Sequence, residues 1–180
     1  RKDSRLNGKE FNVNEMVELI LRRLRPIAQK RDIELTMVSM REVYAEIDEV
    51  KMVMVITNLV ENAIKYNRDH GKVRVTINAD PYNFYISVED TGVGIPQDSL
   101  DKIYERFYRV DKSRSREVGG TGLGLSITKS IILQHHGAID VSSIEGEGTK
   151  FAVTVPLNYV AHPVELRRQS ERMRRNEKRK

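Results

Sequence analysis

Gly119–Ser130 reads GGTGLGLSITKS: four glycines within six residues, running straight into an apolar-periodic stretch that predicts a helix over 123–136. Glycines let a backbone pass close to a ligand with no Cβ in the way. A helix starting behind them offers unpaired N–H groups and a partial positive charge. Gly120, Thr121, Gly122, Leu123, Gly124 and Leu125 are therefore candidates for an anion site, with phosphate the usual occupant. A glycine-rich turn ahead of an ordinary helix reads the same way in isolation, so its companions decide its meaning.

Immediately upstream, residues 111–120 are polar, charged and end in two glycines, the composition of a mobile loop. YERFYR, residues 104–109, mixes aromatics with cations before that loop. Phe107 and Tyr108 could dock the loop over a ligand, and Arg109 could reach a phosphate oxygen. A short helix is expected at 97–105. Before it, DTGVGIP at 90–96 follows a strand. Asp90 can accept a hydrogen bond from an exocyclic amine such as that of adenine, while Gly92 and Gly94, with Ile95 beside them, let the chain curl around a ligand. An Asp-Gly turn after a strand is also common for purely structural reasons. The third glycine of a dinucleotide fingerprint is missing, and GEGTK at 146–150 is no P-loop, since its Lys follows the Thr and no helix comes after.

Further upstream, Asp48 caps a helix expected to reach about Asn67, containing NLVENAIKYN. On a helical wheel Met52, Ile56, Leu59 and Ala63 share one face, with Asn58, Asn62, Lys65 and Tyr66 along its edge. Asn is a poor helix-interior residue. Two of them, four apart, suit a Mg²⁺–phosphate site, because Mg²⁺ takes few protein ligands when phosphate supplies the charge. A solvated amide pair is the plainer alternative. Lys65 can pair with a phosphate and Tyr66 can pack on a base.

The rest of the chain supplies a scaffold. Helical periodicity covers 11–31, with Asn12 or Asn14 as cap and Pro26 near the end. Ile33–Val38 and Val43–Ile47 read as short strands, and so do 72–78, 83–89, 138–143 and 149–155, the last two joined by a tight turn at 145–148. Short turns between adjacent strands favour antiparallel pairing, and the helices are too few for a doubly wound parallel sheet. The expected fold is α+β: a two-layer sandwich with a mixed, mainly antiparallel sheet and helices on one face.

Composition narrows the function. The chain has 180 residues, 39% of them hydrophobic, and no cysteine, which excludes disulfides and thiolate metal sites. No apolar run is long enough to span a bilayer. Residues 163–180 carry eight Lys/Arg against three Glu, which accounts for the whole net charge of +5. The neutral body lacks the basic face expected of a nucleic-acid binder. The expected organisation is a polar end of a preceding segment at 1–10, one domain at 11–157 and a basic tail at 158–180.

NLVENAIKYN, DTGVGI, YERFYRVDKSRS and GGTGLGLSI, in this order, resemble the N, G1, F and G2 boxes of the catalytic, ATP-binding domain of sensor histidine kinases. The DKSRS run resembles the subgroup of membrane sensors for phosphate and cell-wall stress. The resemblance covers roughly residues 11–157 and implies the Bergerat fold shared with gyrase B, Hsp90 and MutL. It implies ATP or ADP with Mg²⁺ as ligands. Asn62 then coordinates the metal and Asn58 assists it, with Lys65 completing the catalytic set. Lys65, Tyr66, Asp90, Gly92, Gly94 and Ile95 hold the nucleotide, and Gly120–Leu125 with Arg109 hold phosphates. Residues 111–120 become a lid over ATP.

The resemblance also implies what is missing. None of His70, His135, His136 or His162 stands in the acceptor context of the family, a His followed by an acidic residue and a nearby Arg-Thr-Pro. The expected chain is thus the catalytic part of a longer kinase. Its γ-phosphate goes to a histidine on a separate dimerisation/phosphoacceptor domain and from there to a response regulator. The expected location is cytoplasmic, with membrane contact only through other domains or weakly through the basic tail. A nucleotide-gated interaction module and an ATPase of the same fold remain open, although the general-base Glu of such ATPases is replaced here by Asn58.

Overall fold

The structure is a computed structural model and describes residues 6–106, 108 and 124–158. Its elements run β1 (Lys9–Asn12), α1 (Val13–Gln29), β2 (Glu34–Ser39), β3 (Tyr44–Ile47), α2 (Glu49–Lys65), β4 (Lys72–Ala79), β5 (Asn83–Asp90), a 3-10 turn (Gln97–Ser99), α3 (Gly124–Gln134), β6 (Ala138–Ile144) and β7 (Gly148–Pro156). Five strands form one sheet in the order β2-β4-β5-β7-β6. β2 runs parallel to β4, and the other three pairings are antiparallel.

Alternation along the strands builds the two layers. Val73, Val75 and Ile77 of β4, Phe84, Ile86 and Val88 of β5, and Phe151, Val153 and Val155 of β7 are buried on one face. The helices cover that face: α1 buries Val13, Met16, Val17, Ile20, Leu21, Leu24 and Ala28, and α2 buries Met52, Val55, Ile56, Leu59, Val60, Ala63 and Ile64. Burial of each such aliphatic side chain contributes roughly 1.5–3 kcal/mol against leaving it in water. The opposite face carries polar pairs such as Arg74–Glu89, at 3.1 Å. The mixed, mainly antiparallel sheet with helices on one face is as expected.

Strand pairing at the N-terminal side differs from expectation. The two strands read at 33–38 and 43–47 do not form a hairpin. β3 pairs antiparallel with β1, in a separate two-stranded sheet, and β2 pairs with β4. The cause is local and topological. Asn14 holds the connection between β2 and β3: its Nδ2 donates to Ser39 Oγ (2.5 Å) and Arg41 O (3.1 Å), and its Oδ1 accepts from Val43 N (2.7 Å). That turns the chain away from β2. The crossover through α2 is then long enough to return β4 parallel to β2. The cap of α1 is Asn12, whose side chain accepts from Glu15 N, and the helix runs through Pro26 to Gln29. β1 brings Lys9 and Glu10 into a strand, so ordered pairing starts two residues before the expected boundary at residue 11.

The helix expected at 97–105 is a single 3-10 turn followed by further turns. Lys102 N, Glu105 N and Tyr108 N each donate to the carbonyl three residues back. This spacing is tighter than the α-helical one and seldom extends into a long helix.

Candidate ATP-binding site

α2 is held at both ends, which fixes the edge that carries the candidate residues. At its start Asp48 Oδ1 accepts from Lys51 N (3.1 Å) and Oδ2 from Asn7 N (3.0 Å). His135, buried at the end of α3, accepts from Asp48 N at Nε2 (3.1 Å). A backbone N–H can only donate, so Nε2 is unprotonated and the proton sits on Nδ1, which bonds Ile131 O at 2.9 Å. Burial pushes the His135 pKa down and keeps the ring neutral. At the other end the Arg31 guanidinium donates to the carbonyls of Ile64, Lys65 (3.2 Å) and Asn67 and pairs with Asp69 at 2.9 Å. Ile64 and Lys65 are in the last turn of α2, where carbonyls lack the usual helical partner four residues on, and a cation there complements the dipole.

Between those anchors Asn58, Asn62, Lys65 and Tyr66 are half-buried beside the apolar stripe, as the wheel predicts. Asn58 Nδ2 faces α3, 3.4 Å from Gly124 O and 3.5 Å from Thr128 Oγ1. The side chains of Asn62 and Lys65 make no hydrogen bond or ion pair among the described residues. Gly124, the first described residue of α3, lies against Asn58, and its φ is not positive. A Cβ placed there would meet Asn58 at 3.7 Å, an ordinary contact. Neither backbone geometry nor packing within the described residues demands a glycine at 124. Leu125 is half-buried and packs on the core.

The loop after β5 lies across the end of α2. Val93 N donates to Tyr66 O (3.0 Å) and Gly146 N to Val93 O (2.8 Å). Here glycine is required: a Cβ on Gly92 would fall 2.3 Å from Tyr66 O, and one on Gly94, at φ +72°, would fall 2.3 Å from Ile144 O. Ile95 N donates to Ser143 Oγ at 2.8 Å, tying the loop to β6. Asp90 Oδ1 accepts from Gly92 N (2.8 Å) and Thr149 N (3.3 Å), while Oδ2 has no hydrogen bond among the described residues. Burial raises the Asp90 pKa to about 6, against the opposing pull of these two N–H groups. A desolvated carboxylate with one oxygen uncommitted is a strong acceptor for a ligand N–H.

The structure thus brings together Asn58 and Gly124 on one side of the α2 edge and Tyr66, Asp90, Gly92 and Gly94 at its end. Arg109, Gly120, Thr121, Gly122 and Leu123, the expected lid and the basic tail after Asn158 lie outside the described residues. Tyr104, ahead of them, packs under Lys129 of α3, whose Nζ is 4.7 Å from the ring centroid. Burial, with the charge of Asp140, pushes the Tyr104 phenol up to about 12. No group of three or more His, Cys, Asp or Glu comes together among the described residues. A groove lined by Glu18, Leu21, Arg22, Arg25 and Met37 lies between α1 and β2 and shares no residue with this cluster. No helix among the described residues is long and apolar enough to cross a membrane.

Sequence reasoning missed Asn67, the last residue of NLVENAIKYN. It is fully buried and bonds Arg68 N, Thr91 and Lys72. The available signal was a short amide just past a helix end and ahead of a glycine, a position that favours side-chain to backbone bonding. Arg31 left no comparable signal, because its partners are distant in sequence.

Residues 47–159 match the model of the histidine kinase-, DNA gyrase B-, and HSP90-like ATPase family. The chain belongs to this family, as the nucleotide-binding catalytic domain of the sensor-histidine-kinase kind. It is 38% identical over 157 residues to the sensor histidine kinase WalK of Bacillus subtilis (strain 168), an alignment covering 86% of this chain and 26% of that protein. The chain spans about a quarter of the length of the curated relatives it matches. Among solved structures, the nucleotide-free catalytic domain of histidine kinase ThkA superposes with a TM-score of 0.75 at 29% identity, covering 84% of this chain and 97% of that one. ThkA in complex with the response regulator TrrA superposes at 0.73 and 26% identity, covering 87% and 43%.

Proposed function

We propose that this chain binds MgATP along the edge of α2 and donates the γ-phosphoryl group to a histidine on the dimerisation/phosphoacceptor domain of the same kinase. The observation that carries this reading is Asp90: a desolvated carboxylate at the end of β5 that commits only Oδ1 to the described backbone, beside Gly92 and Gly94, whose close contacts shape the loop. An N–H donor on the ligand, such as the adenine amine, suits the oxygen that the backbone leaves uncommitted. Asp90 Oδ2 accepts from the adenine amine, Gly92, Gly94 and Ile95 shape the wall beside it, and Tyr66 packs on the base. Asn62, with Asn58, offers neutral amide oxygens to Mg²⁺, and Lys65 pairs with phosphate. Mg²⁺, when bound, offsets charge on the transferring phosphate. Arg109 and Gly120–Leu125 complete the phosphate cradle in this reading. Phosphoryl transfer needs positioning and charge stabilisation rather than a protein nucleophile, and the acceptor imidazole supplies the attacking nitrogen.

The histidines in the described residues are poor acceptors. Both His135 nitrogens are engaged in hydrogen bonds. His70, whose Nδ1 pairs with Asp32 at 2.7 Å, lies past the Tyr66 end of α2, away from Asn58. His136 lies beyond the far end of α3, which is itself about 15 Å along the axis from Gly124. The partner kinase domain and a response regulator follow from the same reading, supported by the likeness to ThkA and its complex. So does a cytoplasmic position in a membrane sensor, with the 158–180 tail touching lipid weakly at most.

The test is incubation with γ-labelled ATP and Mg²⁺, with and without a separately supplied acceptor-helix domain. We expect negligible acid-labile phosphate on this chain alone and transfer to the added domain, weak because tethering is lost. Asn62→Ala should abolish that transfer with an unchanged thermal melt. Steady ATP hydrolysis without transfer would favour an ATPase, and binding with neither reaction would favour a nucleotide-gated module. Stoichiometric phosphohistidine on the chain alone would overturn the proposal.

A further inference from the structure

We infer that Asn67 is a positioning residue for base recognition: its buried amide latches the loop bearing Asp90 to the end of α2. This rests on the proposed role of Asp90 and extends it to a residue with no access to ligand. Asn67 is fully buried, and each polar atom of its side chain is used. Nδ2 donates to Lys72 O (3.0 Å), while Oδ1 accepts from Arg68 N (2.8 Å) and from the Thr91 hydroxyl (3.2 Å). Thr91 closes the ring, since its Oγ1 accepts from Lys72 N (2.9 Å) and its N–H donates to Lys72 O (3.2 Å). The end of α2, the start of β4 and the residue after Asp90 are thereby one hydrogen-bonded unit.

The packing around the latch is equally restrictive. A Cβ on Gly71 would lie 2.2 Å from Asn67 Oδ1, and one on Gly92 would lie 3.0 Å from Asn67 Cα. Gly92 N in turn donates to Asp90 Oδ1, which leaves Oδ2 to the ligand. The direction of the Asp90 carboxylate therefore depends on where Asn67 holds Thr91 and Gly92, whereas Asn58 and Gly124, at the phosphate end, share no bond with this unit among the described residues. A loosened latch should impair recognition of the base amine selectively. A hydrogen bond misplaced by a fraction of an ångström discriminates poorly, and a ligand that lacks the matching donor loses little.

The experiment is calorimetric titration of the full chain with ADP and with inosine diphosphate, which lacks the exocyclic amine. The wild type should prefer ADP tenfold or more. Asn67→Ala should lose at least tenfold in ADP affinity and less than threefold in inosine diphosphate affinity, so that the preference collapses. Thr91→Val, which removes one strand of the latch at an exposed position, should shift the ratio the same way by about threefold. It also keeps the inference testable if Asn67→Ala melts below the working temperature. On an Asp90→Asn background neither substitution should cost further ADP affinity, because a residue acting through Asp90 has nothing left to position. Equal losses for both ligands, additive losses on that background, or no loss at all would overturn the latch. A wild type that binds both ligands alike would instead overturn the assignment of Asp90 itself, and the latch with it.

Discussion

At the residue scale, the proposed role of Asp90 sets stability against recognition. Its pKa near 6 in the fold exceeds the ordinary carboxylate value of 3.8, so the folded chain binds a proton that the unfolded chain has released. The associated stability is fully present below pH 3.8 and is lost as pH rises through about 6. At neutral pH the ionised, desolvated carboxylate costs up to about 3 kcal/mol. Asp90→Asn removes that cost and keeps both backbone bonds, which use Oδ1 alone. We expect the variant to melt several degrees higher at pH 7.5 without nucleotide. Its ADP affinity should fall about 10- to 150-fold, the equivalent of a charge-assisted bond worth roughly 1.5–3 kcal/mol. Thermal melts and calorimetry on the same preparations read both effects. A variant that is neither more stable nor weaker in binding would mean that Asp90 is an ordinary turn residue.

At the scale of elements, α2 is the part from which the proposed site is hung, and His135, just past α3, secures its start. A protonated His135 would present a donor to the Asp48 N–H, so the contact requires the neutral ring. Its lowered pKa means that the unfolded state takes up the proton first. The stability from this contact is present above the unfolded value near 6.5 and is lost as pH falls below it. The sign is opposite to that of Asp90. Denaturant midpoints of Asp90→Asn measured from pH 7.5 to 5 should therefore fall, and His135→Gln in that background should flatten the decline. An unchanged slope would remove His135 from the acid response. Elements were also where the sequence was most and least legible. The Asp48 cap, the buried stripe of α2 and the two-residue alternation of β4, β5 and β7 are local patterns, so they could be read directly. The pairing of β2 with β4 and of β3 with β1 could not, because it goes with contacts between distant residues, such as those of Asn14 with residues 39–43, that no local period encodes. The candidate site followed the same division. Asn58, Asn62 and Lys65 were visible as an edge of one helix, while Asn67 and Arg31 matter only through what the fold places beside them.

At the scale of the whole molecule, the described chain starts and finishes at one corner. Asn7 N bonds Asp48 Oδ2 at 3.0 Å, and Glu46 N bonds Leu157 O at 2.7 Å, two residues apart on the same passage from β3 into α2. The two ends of the fold are thus separated by on the order of 10–15 Å, given about 3.5 Å of reach per residue. A short peptide can close that gap without moving the sheet. A ring formed from residues 6–158 and a Gly-Ser linker of five or six residues should fold as the linear chain does. Cyclisation restricts mainly the unfolded chain, so by loop-closure entropy it gains at most about 5 kcal/mol. We expect the ring to melt well above its linear counterpart with the same ADP affinity, since the corner lies at the opposite end of α2 from Tyr66 and Asp90. A ring that melts no higher would mean that the closure strains this corner. With its ends joined, the nucleotide-binding fold has no terminus from which fraying or exopeptidase digestion can begin.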